Sequence, residues 1–188
     1  MIDLKPFCAV DDIRDYLNAP FVLDGHTAAT NGHILIRVPG VAADVNQSPP
    51  EKLVEGIRKM FAGQHGNAVP LPSLPKPKKC KTCLGTGWLE NGDCDDCNGN
   101  GTFMHGRHEY DCEECGGTGK VGRQQCGAYG CNAGIEREFV KIGPASFDAH
   151  YLRMIAALPN ARISVTEKFG PAWIVFDGGD GLLMPANV

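Results

Sequence analysis

Eight of the nine cysteines in this 188-residue chain fall in four close pairs: Cys80–Cys83, Cys94–Cys97, Cys112–Cys115 and Cys126–Cys131. Three pairs are C-x-x-C and the fourth is C-x-x-x-x-C. Two thiolates two residues apart close a tight turn on one tetrahedral cation, and two such turns complete a four-sulfur shell. Eight sulfurs therefore suit two zinc ions. Disulfides are the competing use of such pairs. The opening MIDLKPFCAV lacks the basic-then-apolar pattern of a secretion signal, and no apolar run approaches membrane-spanning length. These features favour a cytoplasmic setting, where thiols stay reduced and bind metal, and they speak against a membrane partner. With four sulfurs available to each ion no coordination position is left open, so the expected zinc is structural and not catalytic.

The segments CKTCLGTG, CDDCNGNG and CEECGGTG place x-G-x-G after three of the pairs, at Gly85, Gly87, Gly99, Gly101, Gly117 and Gly119. Glycine tolerates positive φ, so the backbone can turn back and aim its amides at the sulfurs. Four C-x-x-C-x-G-x-G modules mark the cysteine-rich zinc finger of DnaJ-type chaperones, and residues 80–134 resemble it. The resemblance implies that the first and fourth modules share an ion, and the second and third the other. Cys80, Cys83, Cys126 and Cys131 would then hold zinc 1, and Cys94, Cys97, Cys112 and Cys115 zinc 2. CGAYGCNAG departs from the pattern by two extra residues between its cysteines and a displaced glycine, which bears on the geometry of the first site. His105 and His108 are available as substitute ligands but read as surface residues beside eight cysteines.

The remainder, with 43% hydrophobic content over the whole chain, is expected to form one globular domain. VPLPSLPKPKK (69–79) reads as a semi-rigid linker. Outside the finger, residues 2–7 read as a strand and 8–17 as a helix with Val10, Ile13 and Leu17 on one face. Cys8 reads as a small buried thiol in that helix. Strands follow at 20–24, 26–30 and 33–38, the last two joined by Asn31-Gly32 in a type I′ turn. A helix is expected at 50–61. In the second half, 136–142 reads as a strand and 146–158 as a helix capped by Ser146, with Tyr151, Ile155 and Leu158 facing the core. The strands 161–167, 171–177 and 181–186 complete it.

Each half thus has the order β-α-β-β-β. HTAATNGHILIRV, FDAHYLRMIAALPNARISVT and PAWIVFDGGDGLLMPANV resemble segments of the bacterial DNA polymerase III β sliding clamp, over roughly residues 20–40 and 138–188. The resemblance implies an α+β fold: a duplicated clamp-like domain, 1–79 plus 135–188, with both helices on one face of an antiparallel sheet and an inserted two-zinc Cys-rich β-hairpin module, 80–134.

Charge narrows the partners. The finger carries Lys81, Arg107, Lys120 and Arg123 against Glu90, Asp93, Asp95, Asp96, Glu109, Asp111, Glu113 and Glu114. Each Zn²⁺ inside four thiolates adds −2 more. Nucleic-acid binding needs a basic surface, and the only basic cluster is Lys76, Lys78, Lys79 and Lys81. DNA binding is therefore the weaker reading, and a protein or unfolded polypeptide the preferred partner. The chain contains no His-Pro-Asp triplet, which excludes the usual recruitment of an Hsp70-type partner by a J-domain. It also lacks a nucleophile elbow and a phosphate loop, and DGGDG (177–181) lacks the alternating ligands of a calcium loop. The expectation is a non-enzymatic zinc-binding protein, with a thiol–disulfide or holdase-type chaperone as the alternative. A compact hybrid of these two parts suits a phage or prophage gene acting near DNA replication or repair.

Overall fold

The computed structural model describes residues 2–42, 45, 48–63, 65–90, 92–128 and 130–188. The side chains of Glu90 and Arg123, counted in the finger's charge, lie outside the described ones. Two compact units are present: residues up to Pro75 together with Glu138–Val188, and Lys76–Arg137. The second unit is slightly longer than 80–134. Its two ends pair with each other, through a bridge between Lys79 and Ile135 and a bond from Glu136 N–H to Lys78 O (2.8 Å).

The first unit begins with single 3-10 turns at Lys5–Phe7 and Asp15–Leu17, then β1 (Phe21–Leu23), β2 (His26–Thr30), β3 (Ile34–Pro39), α1 (Glu51–Phe61) and β4 (Val69–Pro70). The second unit contributes β5 (Trp88–Glu90), β6 (Thr102–His105), β7 (His108–Asp111), β8 (Arg123–Gln125), β9 (Cys131–Asn132) and β10 (Ile135–Glu136). The chain returns with β11 (Phe139–Ile142), β12 (Ala145–Asp148), α2 (Ala149–Ala156), β13 (Arg162–Ser164), β14 (Ala172–Phe176) and β15 (Gly179–Leu183). Seven strands form one antiparallel sheet in the order β1-β2-β3-β15-β14-β13-β4. This is an α+β-like unit, mostly sheet with few helices.

Successive residues of a strand face opposite sides, and here both sides are used. Phe21, Leu23, Ala28 and Leu35 pack with Val54 and Ile57 of α1. Ala29, Ile34, Ile36, Ile163, Ile174 and Leu183 pack with Phe147 of β12 and with Leu152 and Ile155 of α2. The two helices therefore lie on opposite faces, not on one as expected. On the α1 side, Arg37 pairs with Asp180 across β3 and β15 (2.6 Å) and lies over the Phe61 ring. Asp180 in DGGDG is thus occupied by an arginine. Arg58 of α1 reaches Asp24 in the β1–β2 turn (2.6 Å) and Glu51 of its own helix (3.0 Å).

Several expectations give way to local chemistry. No helix forms at 8–17: Val10 is 88% and Ile13 96% exposed, and Leu17 alone of the three is buried. Asp12 Oδ1 accepts from the N–H and side chain of Arg14, while Asn18 Oδ1 accepts from Asp12 N–H. Such side-chain bonds offer the backbone an alternative to the helix. Residues 2–7 hold a 3-10 turn where a strand was expected, so the two halves do not share one β-α-β-β-β order. Cys8 follows that turn instead of lying in a helix. It is half-buried, and burial followed by Asp3 pushes its thiol up. The paired positive φ of a type I′ turn falls at Asp24 (48°) and Gly25 (76°). At 31–33, Asn31 Oδ1 instead accepts from His33 and Ile34 N–H.

Ser146 and Phe147 belong to β12, with Phe147 wholly buried, and Asp148 caps α2 by accepting from His150 N–H (2.8 Å). The strand persists because Phe139, Val140, Lys141 and Ile142 pair with Asp148, Phe147, Ser146 and Ala145 in a tight hairpin. Tyr151, Ile155 and Leu158 do meet the core, Ile155 fully buried, Tyr151 half-buried and Leu158 buried just beyond the helix end, and Leu152 joins them fully buried. Truncating Ile155 to Ala leaves a cavity in this core. We expect a loss of about 2–5 kcal/mol in chemical denaturation of the first unit, with metal content unchanged by elemental analysis.

Candidate metal centres

Every buried residue described in the second unit is a cysteine or a glycine: Cys80, Cys83, Cys94, Cys97, Cys112 and Cys115, with Gly87, Gly101, Gly119 and Gly134. Trp88, Phe103 and Tyr110, its large aromatic side chains outside Tyr129, are exposed. A fold with no larger apolar core among its described residues needs another source of stability, and metal can supply it in modules of this size, on the order of 10 kcal/mol per site.

The structure gathers the eight sulfurs into two groups. Cys80, Cys83, Cys126 and Cys131 form one and Cys94, Cys97, Cys112 and Cys115 the other, with the ligand atoms of each within 4.8 Å of one another. A Zn²⁺ ~2.3 Å from four sulfurs sets neighbouring sulfurs ~3.8 Å apart. The separations Cys83–Cys131 (3.8 Å), Cys94–Cys112 (3.7 Å) and Cys97–Cys115 (3.8 Å) match that edge. The donor set therefore fits tetrahedral zinc at both centres. Four soft thiolates also suit other thiophilic ions.

Reciprocal backbone bonds bring the distant modules together. Cys94 N–H donates to Gly119 O (2.9 Å) and Cys112 N–H to Gly101 O (2.7 Å), joining the second and third modules. Cys80 N–H donates to Gly134 O (2.8 Å) and Cys126 N–H to Gly87 O (2.8 Å), joining the first and fourth. Within each regular module an amide turns onto the sulfur: Gly87 N–H to Cys83, Gly101 N–H to Cys97 and Gly119 N–H to Cys115, at 3.1–3.3 Å. Glycine is required at the crossing. A Cβ on Gly101 would lie 2.3 Å from Gly117 O, and one on Gly119 2.2 Å from Gly99 O.

The irregular fourth module, two residues longer between its cysteines, solves the same problem with one residue fewer after the second cysteine. Gly134 accepts from Cys80 N–H as Gly119 does from Cys94, and its Cβ position faces Gly85 O as that of Gly119 faces Gly99 O. Only Asn132 and Ala133 separate it from Cys131, where Gly116, Gly117 and Thr118 separate Cys115 from Gly119. Ala133 takes a left-handed φ of 46°.

The thiols are electrostatically split. The Cys83 amide draws Cys80 down to about 6. Burial raises Cys115, but the Gly119 amide and the neighbouring thiols bring it to about 7. Although the Cys115 amide favours its thiolate, Cys112 is pushed up to about 12 by burial and by the thiols of Cys115 and Cys94. Four thiols so close cannot all ionise by themselves; a divalent cation removes that obstacle.

His105 and His108 flank the β6–β7 turn, both exposed and outside the two sulfur groups. No helix among the described residues is long and apolar enough to cross a membrane.

No family model matches the chain, and no curated protein does. Among solved structures it is similar to a DnaN sliding clamp, the β subunit of DNA polymerase III, from Pseudomonas aeruginosa bound to griselimycin. The identity is 16% and the TM-score 0.37, over 98% of this chain and 61% of that one. The chain thus spans less than two thirds of the clamp's length.

Gly101→Ala is expected to lose one of two ions, because the methyl meets backbone oxygen at 2.3 Å. Gly116→Ala, with open space around its Cβ and φ 58°, should keep both. Elemental analysis of the two purified variants checks the contrast.

Proposed function

We propose that this chain is a non-enzymatic zinc-binding protein whose finger docks a polypeptide partner. The observation that carries the reading is the β6–β7 hairpin. Phe103 (43% exposed) lies directly across from Tyr110 (54%), and Met104 (67%) follows on the other side of the strand. Large apolar groups of this kind are unusual on a small surface that buries nothing similar beneath, and aromatic residues anchor protein interfaces. Around them stand Glu109, Asp111, Glu113 and Glu114, all exposed. An apolar strip with an acidic surround suits an extended segment of mixed apolar and basic character, as in an unfolded polypeptide. The same charge opposes phosphate backbones.

Both centres can be closed by four sulfurs, which supports a structural use of the metal over a catalytic one. The DnaJ-like pattern of residues 80–134 agrees with polypeptide handling. The sequence resemblance of 20–40 and 138–188 to a clamp suggests a cytoplasmic, phage- or prophage-type protein working near DNA replication or repair. In that setting the first unit serves as a scaffold that presents the finger.

The test compares the zinc-loaded chain with its Phe103→Ala/Tyr110→Ala variant in binding to immobilised unfolded polypeptides of basic-apolar composition. We expect the variant to keep two ions and lose at least about tenfold in affinity, roughly 1.4 kcal/mol. Equal binding by both proteins would contradict the docking role. Catalytic-rate isomerisation of a scrambled disulfide substrate would favour the thiol–disulfide chaperone instead.

A further inference from the structure

The two sulfur centres are unequal in access. In the second, Cys94, Cys97, Cys112 and Cys115 are all buried. In the first, Cys80 and Cys83 are buried, whereas Cys126 and Cys131 are only half-buried. Those two line a cleft of about 380 Å³, together with Thr86, Trp88, Gln125 and Asn132. The fourth module also differs in its loop. In the second centre three residues separate Cys115 from Gly119, whose amide donates to the Cys115 sulfur (3.2 Å), and Thr118 Oγ donates to Cys115 O (2.7 Å). The corresponding loop after Cys131 is one residue shorter and has no threonine. One thiolate pair is therefore open to small solutes, and the other three are shielded.

Oxidation of cysteine follows thiolate character and exposure. We propose that the first centre is a peroxide-sensitive zinc site: a small hydroperoxide entering the cleft converts Cys126 and Cys131 to a disulfide and expels the ion, while the second centre keeps its own. The proposal rests on both groups being zinc centres. One thiolate of the pair attacks the O–O bond and gains an S–O bond, and hydroxide or alkoxide leaves with the electron pair. The second thiolate attacks the sulfenic sulfur, forms the S–S bond and releases hydroxide. Two electrons pass from sulfur to the peroxide, and the ion, left with Cys80 and Cys83, departs to solvent. The sulfurs already lie within 4.8 Å of each other, so closure to an S–S bond of ~2.0 Å needs an approach of less than about 3 Å. Loss of the ion unties the bond pair between the first and fourth modules, and with it the base of the finger. A thiol reductant and fresh zinc reverse the change.

The full-length, zinc-loaded chain is titrated with hydrogen peroxide beside a colorimetric zinc chelator, and alkylated peptides are then mapped by mass spectrometry. The expected result is a fast phase ending at one ion per chain, a Cys126–Cys131 disulfide, and Cys94, Cys97, Cys112 and Cys115 still alkylated. Reductant with zinc should restore two ions. Release of both ions in a single phase, or first oxidation at the second centre, overturns the proposal alone. Protein that carries no zinc before peroxide is added overturns the zinc reading as well.

Discussion

Thiolate–metal attraction is the interaction that the two four-cysteine groups of the second unit are arranged to use. That unit's buried residues, among those described, are sulfur carriers and the glycines that let backbone cross backbone, with Val121 packed partly buried against the second sulfur group. The hydrophobic effect, which stabilises the first unit through Phe21, Phe147, Ile155 and Ile174, has little to act on among the described residues between Lys76 and Arg137. Two kinds of stability thus coexist in one chain. One is spread over many apolar contacts and tolerates partial loss; the other, with an ion in each four-sulfur group, would be concentrated in eight bonds and would fail centre by centre.

That division has a consequence for the surface. A module that a metal can hold does not have to bury its aromatic side chains, and Phe103, Tyr110 and Trp88 are exposed. In a domain of ordinary construction the same residues would be drawn inward by the transfer free energy of their rings. The reciprocal amide bonds between modules repeat around both four-sulfur groups, so the irregular fourth module, longer between its cysteines and shorter after them, is a variant of one design rather than a different one.

The ligand types were legible in the sequence because C-x-x-C is a local geometric statement: two residues fix how far apart the sulfurs stand. Which distant pairs meet is not local. Spacing left it open, and the resemblance of 80–134 to a known finger supplied an expectation that the spacing did not. In the first unit, continuous runs of β-branched and aromatic residues such as AWIVF were readable, and so was α1, whose apolar residues follow the helical period. The misreadings share a cause. Val10, Ile13 and Leu17 have helical spacing, yet Asp12 and Asn18 bind the backbone first. Ser146 looks like a cap, but the pairing of β11 with β12 carries the strand two residues further to Asp148. Asn31-Gly32 has type I′ composition, while the side chain of Asn31 holds a wider loop. In each case a short polar side chain or a cross-strand partner outweighed the periodic signal. The placement of the helices on opposite faces is a tertiary choice, since Ala28 and Ala29 are equally apolar and serve different cores.

X-ray absorption at the zinc edge addresses the central claim most directly, because it reports what surrounds each ion. For freshly purified, reduced protein the account predicts an all-sulfur shell of four ligands at about 2.3 Å, with no nitrogen or oxygen scatterer at shorter distance. A shell containing histidine nitrogen or water oxygen would contradict closed four-thiolate centres, and the absence of an edge signal would contradict zinc altogether.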